Sequence, residues 1–340
     1  MNRNYRQIAL WLFGCCALVF AMVVLGGVTR LTGSGLSMVD WHPISGVMPP
    51  LGEAQWLAEF ENYQTSPEYQ KINRRMSLAA FKSIFLFEYA HRVLGRAIGI
   101  AFLLPFLYFF VRRMLDRALL TRLAGVFVLG ALQGLLGWYM VKSGLVDDPH
   151  VSQYRLTAHL ALAVLIYGYM LWLGVQLWYD GEVREAAPPR LRRMTLAVST
   201  LVVLTLLSGG FVAGLKAGLI YNTFPLMNGQ WIPDGLFAVQ PAILNLFENI
   251  VTVQFDHRLL ALTTLAAVLA LWIYAFRHPL PARARVGYHL LLLAACFQVS
   301  LGVATLLLRV PVSLGAAHQG TAFLLFSVVI YLDQAMGKVK

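Results

Sequence analysis

The apolar and polar positions of this chain fall into long blocks, not into short-period alternation. Eight stretches of mostly apolar residues are separated by shorter polar segments. A hydrocarbon core about 30 Å thick needs roughly 20 apolar residues per helix, so each block predicts one membrane-spanning helix. The expected limits are 7–28, 82–111, 122–141, 155–178, 194–214, 249–276, 286–308 and 314–335. The fold class expected is an all-α integral membrane protein with eight transmembrane helices. The first block is too long for a removable signal peptide and lacks its small-residue cleavage site. No Arg/Ser-rich amphipathic presequence stands before it, which favours a bacterial chain.

The blocks repeat. Span 1 leaves through Gly-Gly-Val-Thr-Arg-Leu-Thr-Gly-Ser-Gly (26–35), and span 5 through Ser-Gly-Gly-Phe-Val-Ala-Gly-Leu-Lys-Ala-Gly (208–218). Glu-Tyr-Ala-His-Arg (88–92) in span 2 answers Gln-Phe-Asp-His-Arg (254–258) in span 6. Leu-Gln-Gly-Leu-Leu-Gly (132–137) answers Phe-Gln-Val-Ser-Leu-Gly (297–302), and Thr-Ala-His (157–159) answers Ala-Ala-His (316–318). Four matches in one order predict two tandem four-helix bundles with pseudo-two-fold symmetry about the membrane normal. The expected division is 1–178 for the first half, 179–193 for a polar, proline-bearing cytoplasmic linker, and 194–340 for the second half. Two outer loops, 29–81 and 215–248, are long. Their Trp, Phe and Pro content predicts packed lids, with a helical piece near 53–75.

Composition agrees: 59% of the residues are hydrophobic and 13% charged, against about 25% charged in soluble domains. The net charge of +11 would suit a nucleic-acid partner, but its distribution argues against one. With the N-terminus inside, 15 of the 27 basic residues fall on short inner segments, among them Arg3, Arg112, Arg184, Arg192, Arg277, Lys338 and Lys340. The outer side has nine basic residues, balanced by nine acidic ones. This is the positive-inside bias, and it places both termini in the cytoplasm. Cys15, Cys16 and Cys296 all lie inside spans and read as small apolar residues, with neither zinc spacing nor a disulfide.

Four of the eight histidines stand out. His91, His159, His257 and His318 lie in the outer portions of spans 2, 4, 6 and 8. A lone intramembrane histidine is as readily a hydrogen-bonding group between helices. Four at matched positions in two repeats point to chemistry. Two facing neutral imidazoles make an axial pair for a haem iron, so the expected metal ligands are these four. Zinc or copper fits less well, since Glu88 and Asp256 are the only other ligand types nearby. His42, His150, His278 and His289 are expected in solvent or at the interface.

Haem propionates call for cations, and the guanidinium fork suits carboxylates. Arg92 and Arg258 follow their histidines directly, and Arg30, Arg96, Arg155 and Lys216 lie on the same side. For Arg30, Arg155 and Lys216, interfacial snorkelling is the competing reading. The halves differ where Glu88 stands opposite Gln254. Position i−3 shares a helix face with the histidine, so a titratable group is expected beside His91 alone. If one half does chemistry, it is the first. Asp256 points about 100° away round the helix, and a structural partnership, for instance with an arginine, is expected of it.

These motifs together, over essentially the whole chain, resemble the haem A synthase (Cox15/CtaA) family. The resemblance implies oxidation of the C8 methyl of haem O to the formyl of haem A, by successive hydroxylation and loss of water. Carried over by motif, His91 and His159 would hold the substrate haem O beside Glu88 as the essential carboxylate. His257 and His318 would ligate a resident haem B that relays electrons. The implied location is a bacterial inner membrane with the haem sites towards the periplasm, and haem O is expected from haem O synthase. Some family members carry a cysteine pair in the first outer loop. This chain does not, so a thiol relay has no support and the cysteine-free branch fits.

Two routes stay open. Water supplies the oxygen while Glu88 takes protons or stabilises charge, or iron-activated oxygen is used and one substrate histidine lets go. The competing function is a di-haem b-type electron carrier or haem transporter with no haem chemistry. Histidines all on one side suit a stacked transmembrane wire poorly. The electron donor leaves no mark. Gly14, Gly174 and Gly302 could face another helix of the chain or a second protomer, which leaves a homo-oligomer open.

Overall fold

The structure, a computed structural model, describes residues 3–40, 46–146, 149–181 and 188–336. Among these the chain is all-helical apart from an isolated bridge between Met227 and Gln230. Trp41, His42, Pro43, Arg184, Lys338 and Lys340, and the core of the expected linker, lie outside the described residues.

Among the described residues, eight helices are long and apolar enough to cross a membrane. They are α1 (Arg3–Leu31), α4 (Leu78–Val111), α5 (Arg117–Gly144), α6 (Gln153–Trp178), α7 (Pro189–Gly214), α9 (Ile250–Ala275), α10 (Ala282–Leu307) and α11 (Val312–Ala335). Most run past the apolar limits because caps, not hydropathy, end a helix. Ser77 accepts from Ala80 N–H and starts α4, while Asp116 accepts from Leu119 N–H and starts α5 five residues before the apolar stretch. Each cap satisfies an N–H group the helix itself cannot pair.

Helix α1 packs on α4 and α6, and α5 packs on α4 and α6; likewise α7 packs on α9 and α11, and α10 on α9 and α11. The two sets meet through α1 with α11, α6 with α7, and α6 with α11. Burial follows this arrangement. In the most apolar window of α6, 56% of the residues are buried, against 11% in α4, so α6 lies at the centre and α4 at the rim. Rim positions such as Ile100, Leu104, Leu293 and Phe297 are exposed and apolar, as lipid contact demands.

The loop between α1 and α4 is packed. It carries α2 (Glu53–Gln64) and α3 (Pro67–Lys71), split where Ser66 caps α3 with Pro67 at its first position. Tyr63, Phe81 and Phe85 form a small aromatic core there, flanked by Trp56, Phe60 and Tyr69. The second loop carries two short turns and α8 (Asn245–Glu248). Asn222 ties it to α10 by donating to the Leu306 carbonyl at 2.8 Å.

Candidate functional site

The site begins in the N-terminal part of α4. Glu88 is 3% exposed, and both its oxygens are engaged. Oε2 accepts from the Ser37 hydroxyl at 2.7 Å and from Met38 N–H at 2.9 Å. Oε1 forms a salt bridge with Arg92 Nη2 at 2.6 Å. Burial of a carboxylate is tolerable only with such pairing and bonding. Arg92 also donates to the carbonyls of Met38 (2.9 Å) and Asp40 (3.3 Å). The guanidinium expected at a propionate thus serves a protein carboxylate and the loop backbone.

The same clamp recurs on α9. Arg258 donates to the carbonyls of Tyr221 (2.7 Å) and Thr223 (2.9 Å), which again lie two residues apart in the loop leaving the preceding span. Gln254, 2% exposed, donates its amide to Tyr221 O at 3.2 Å. The Glu88/Gln254 difference therefore matches the backbone each side chain meets. Met38 offers an N–H and needs an acceptor; Tyr221 offers a carbonyl and needs a donor.

Each of the four histidines rests against a glycine of the preceding span. A Cβ built on Gly26 would fall 3.1 Å from the His91 ring, on Gly137 3.0 Å from His159, on Gly209 3.3 Å from His257, and on Gly302 2.9 Å from His318. Here glycine is used for close approach, since any side chain would push the imidazole away. The His257 and His318 rings stand 6.5 Å apart between centroids and at 88° to one another. His159 lies within electrostatic reach of His91.

Ring nitrogens are held from behind. Ser208 Oγ donates to the Thr205 carbonyl at 2.8 Å, so it must accept from His257 Nδ1–H at 2.7 Å, which leaves the Nε2 lone pair available. Gln133 Nε2 lies 3.2 Å from His159 Nε2, and Gln298 Nε2 lies 3.1 Å from His318 Nδ1. His159 Nδ1, Gln133 Oε1, Gln254 Oε1 and Gln298 Oε1 are buried with no hydrogen-bond partner among the described residues. Ser208 and the two glutamines were missed as functional residues, although the repeat comparison contains them. For the glutamines the signal was their matched place one turn from a matched glycine; Ser208 stands opposite Leu25 in the repeat and carried no such signal.

The remaining candidates divide. Arg30, in the last turn of α1, is partly buried with no hydrogen bond or ion pair to a described residue, and Arg96 is partly buried on α4 beyond Arg92. Arg155 lies over the Tyr139 ring at 4.2 Å, which accounts for its position without a ligand. Lys216 starts the second outer loop in the left-handed region, at φ 53°. Among the described residues Asp256 has no arginine partner, and Arg258 on the same turn is directed to the loop carbonyls. His150 is exposed, His278 packs on Tyr274, and His289 accepts from Trp272. Cys15 and Cys16 are buried, but Cys296 is exposed on the rim. Among the described residues, no three of His, Cys, Asp and Glu gather around one point.

The model of the COX15-CtaA family, described as cytochrome oxidase assembly protein, matches residues 9–330. A heme A synthase of Nitrosospira multiformis is 53% identical over 333 residues, covering 97% of this chain and 94% of the relative. A heme A synthase of Nitrosomonas eutropha is 49% identical over 334 residues, covering 97% and 94%. Heme A synthase COX15 of Bos taurus is 46% identical over 344 residues, covering 98% of this chain and 83% of that protein.

Proposed function

This chain belongs to the COX15-CtaA family of cytochrome oxidase assembly proteins, and from that premise we propose that it oxidises the C8 methyl of haem O to the formyl of haem A. It is a multi-pass membrane protein. The observation that carries the reading is the opposed pair His257 and His318, each seated on a glycine, with rings 6.5 Å apart. Two metal–imidazole bonds of about 2 Å each, plus the reach of two rings, fill about that separation. The buried, unpartnered Nδ1 of His159 and the donor set of neutral imidazoles fit an iron porphyrin equally.

In this reading His91 and His159 hold the substrate haem O, and His257 and His318 hold haem B. Haem B, when bound, supplies one-electron transfer. Ser208 keeps His257 in the tautomer whose Nε2 can ligate. Glu88 is the carboxylate of the substrate half. Its bonds to the Ser37 hydroxyl, Met38 N–H and Arg92 tie the histidine-bearing helix to residues 37–40. With Arg92 and Arg258 engaged at the loop carbonyls, Arg30 is the cation proposed for a propionate on the α1–α4 side.

The duplication reading has support of the same kind. Replacing α1, α4, α5 and α6 by α7, α9, α10 and α11 maps every packed pair within the first half onto a packed pair in the second. We read the division at 179–193 accordingly, with both termini cytoplasmic, the haem sites periplasmic and the membrane a bacterial inner membrane. Haem O would come from haem O synthase, and electrons from a donor not yet identified. The carrier or transporter alternative is not favoured, since it gives no role to a buried carboxylate present in one half.

The test is haem extraction from the protein purified out of cells that also make haem O, with chromatography and mass detection. Haem B with haem A, or with a hydroxylated haem O, is the expected result. Haem B alone, at two per chain, would overturn the proposal in favour of the carrier.

A further inference from the structure

Two intramembrane glutamines have no part in the chemistry above, yet each spends its amide on a single histidine. Gln133 Nε2 on α5 lies 3.1 Å from the backbone oxygen of His159 and 3.2 Å from its ring Nε2. Gln298 Nε2 on α10 lies 3.0 Å from the backbone oxygen of His318 and 3.1 Å from its ring Nδ1. Four residues on, one turn along the same face, stand Gly137 and Gly302, whose missing side chains make room for the same two rings. One device, Gln-x-x-x-Gly on the odd span, thus cradles the α6 histidine in one half and the α11 histidine in the other.

A glutamine in a span is costly and persists where it bonds across helices. These two serve only the histidine, because both Oε1 atoms are buried without a partner among the described residues. Gripping backbone and ring together fixes rotation about the imidazole's bond to the main chain. It leaves the far nitrogen, Nδ1 of His159 and Nε2 of His318, directed away from the amide. The bond made at the nitrogen behind a ligand sets that ligand's orientation and basicity. With the amide N–H donating to the near nitrogen, a neutral ring carries its proton on the far one; a haem iron at the far nitrogen would require that proton on the near nitrogen, where the amide, turned over, accepts it through Oε1 in place of its backbone bond, and a leucine cannot.

We propose that Gln133 and Gln298 are positioning residues of the two haem sites, each fixing the ring orientation and donor strength of one axial histidine: Gln133 of His159, Gln298 of His318. This rests on the reading that the histidine pairs hold haems.

The test uses the full-length, haem-loaded chain in detergent. Low-temperature electron paramagnetic resonance of the ferric state and a redox titration are recorded, with each signal assigned by its loss in His159→Ala or His318→Ala. Gln298→Leu is expected to shift the g values and midpoint potential of the His318 haem alone, and Gln133→Leu those of the His159 haem alone. Gln298→Asn and Gln133→Asn, which keep an amide but hold it one methylene short of the ring, should shift the same haem as leucine does and guard against a leucine variant that fails to fold. Signals and potentials identical to the parent in haem-loaded Leu and Asn variants would overturn the proposal. A parent chain that holds no haem would instead sink the functional reading beneath it.

Discussion

Glu88 and Arg92, one turn apart on α4, form a buried ion pair at 2.6 Å, and both reach across to the backbone of residues 38–40. The pair is thus a joint between the histidine-bearing helix and the first outer loop. Its side chains are 4% and 14% exposed, so water does little to screen it. Removing one partner of a buried pair costs about 3–5 kcal/mol, because the other charge is left uncompensated.

Glu88→Gln should therefore lose oxidation of haem O and also lower the melting temperature in detergent. Arg92→Gln should destabilise similarly. The double variant Glu88→Gln/Arg92→Gln should be less destabilised than the sum, by about 1 kcal/mol or more, since contacting residues couple. Additive losses in a double-mutant cycle would show that the pair is not an energetic unit.

Swapping the amide the other way is expected to cost more than size suggests. In Gln254→Glu a carboxylate would face the Tyr221 carbonyl, now 3.2 Å from the amide nitrogen. Two acceptors then meet in a buried place, at a cost of about 1–3 kcal/mol. Thermal unfolding should show that loss, together with faster hydrogen exchange around Tyr221 and Thr223. Unchanged exchange would mean that Arg258 alone holds the loop.

The glycine seats give a discriminating pair on one helix. Gly137→Ala places a methyl 3.0 Å from the His159 ring, whereas a methyl on Gly134 meets nothing within 4 Å. Overpacking of this kind costs about 1–3 kcal/mol. Gly137→Ala should lower haem occupancy of the first half and Gly134→Ala should not, as measured by haem per chain after purification. Equal occupancy in both would remove the argument for the seat.

The first lid should open as pH rises. Burial pushes the Glu68 carboxyl from 4.5 up to about 7, although the Tyr63 hydroxyl bonded to it at 3.0 Å and the Lys216 charge pull the other way, while Glu88 adds to the rise. The folded lid binds the Glu68 proton more tightly than the unfolded chain does, so this contribution is full below about pH 4.5 and is lost as pH climbs through about 7. Protection factors over 53–77, with the intrinsic base-catalysed exchange rate divided out, should be lower at pH 8 than at pH 6. Glu68→Gln should flatten that dependence; a dependence that survives the substitution would assign it elsewhere.

The order of blocks, the all-helical class and the matched places of His91, His159, His257 and His318 follow from the sequence by itself. Apolar length and repeated spacing are local properties that need no neighbour to be read. Tertiary structure decided the partners. Arg92 turned to Glu88 and the loop, Asp256 was left without an arginine, and Gln133, Gln298 and Ser208 proved to be the residues behind the rings. The physical reason lies in the solvent: a span is apolar on its lipid face and on its packed face alike. Periodicity therefore cannot say which side of α5 or α10 meets a histidine, and only packing brings the amide, the glycine and the imidazole to one place.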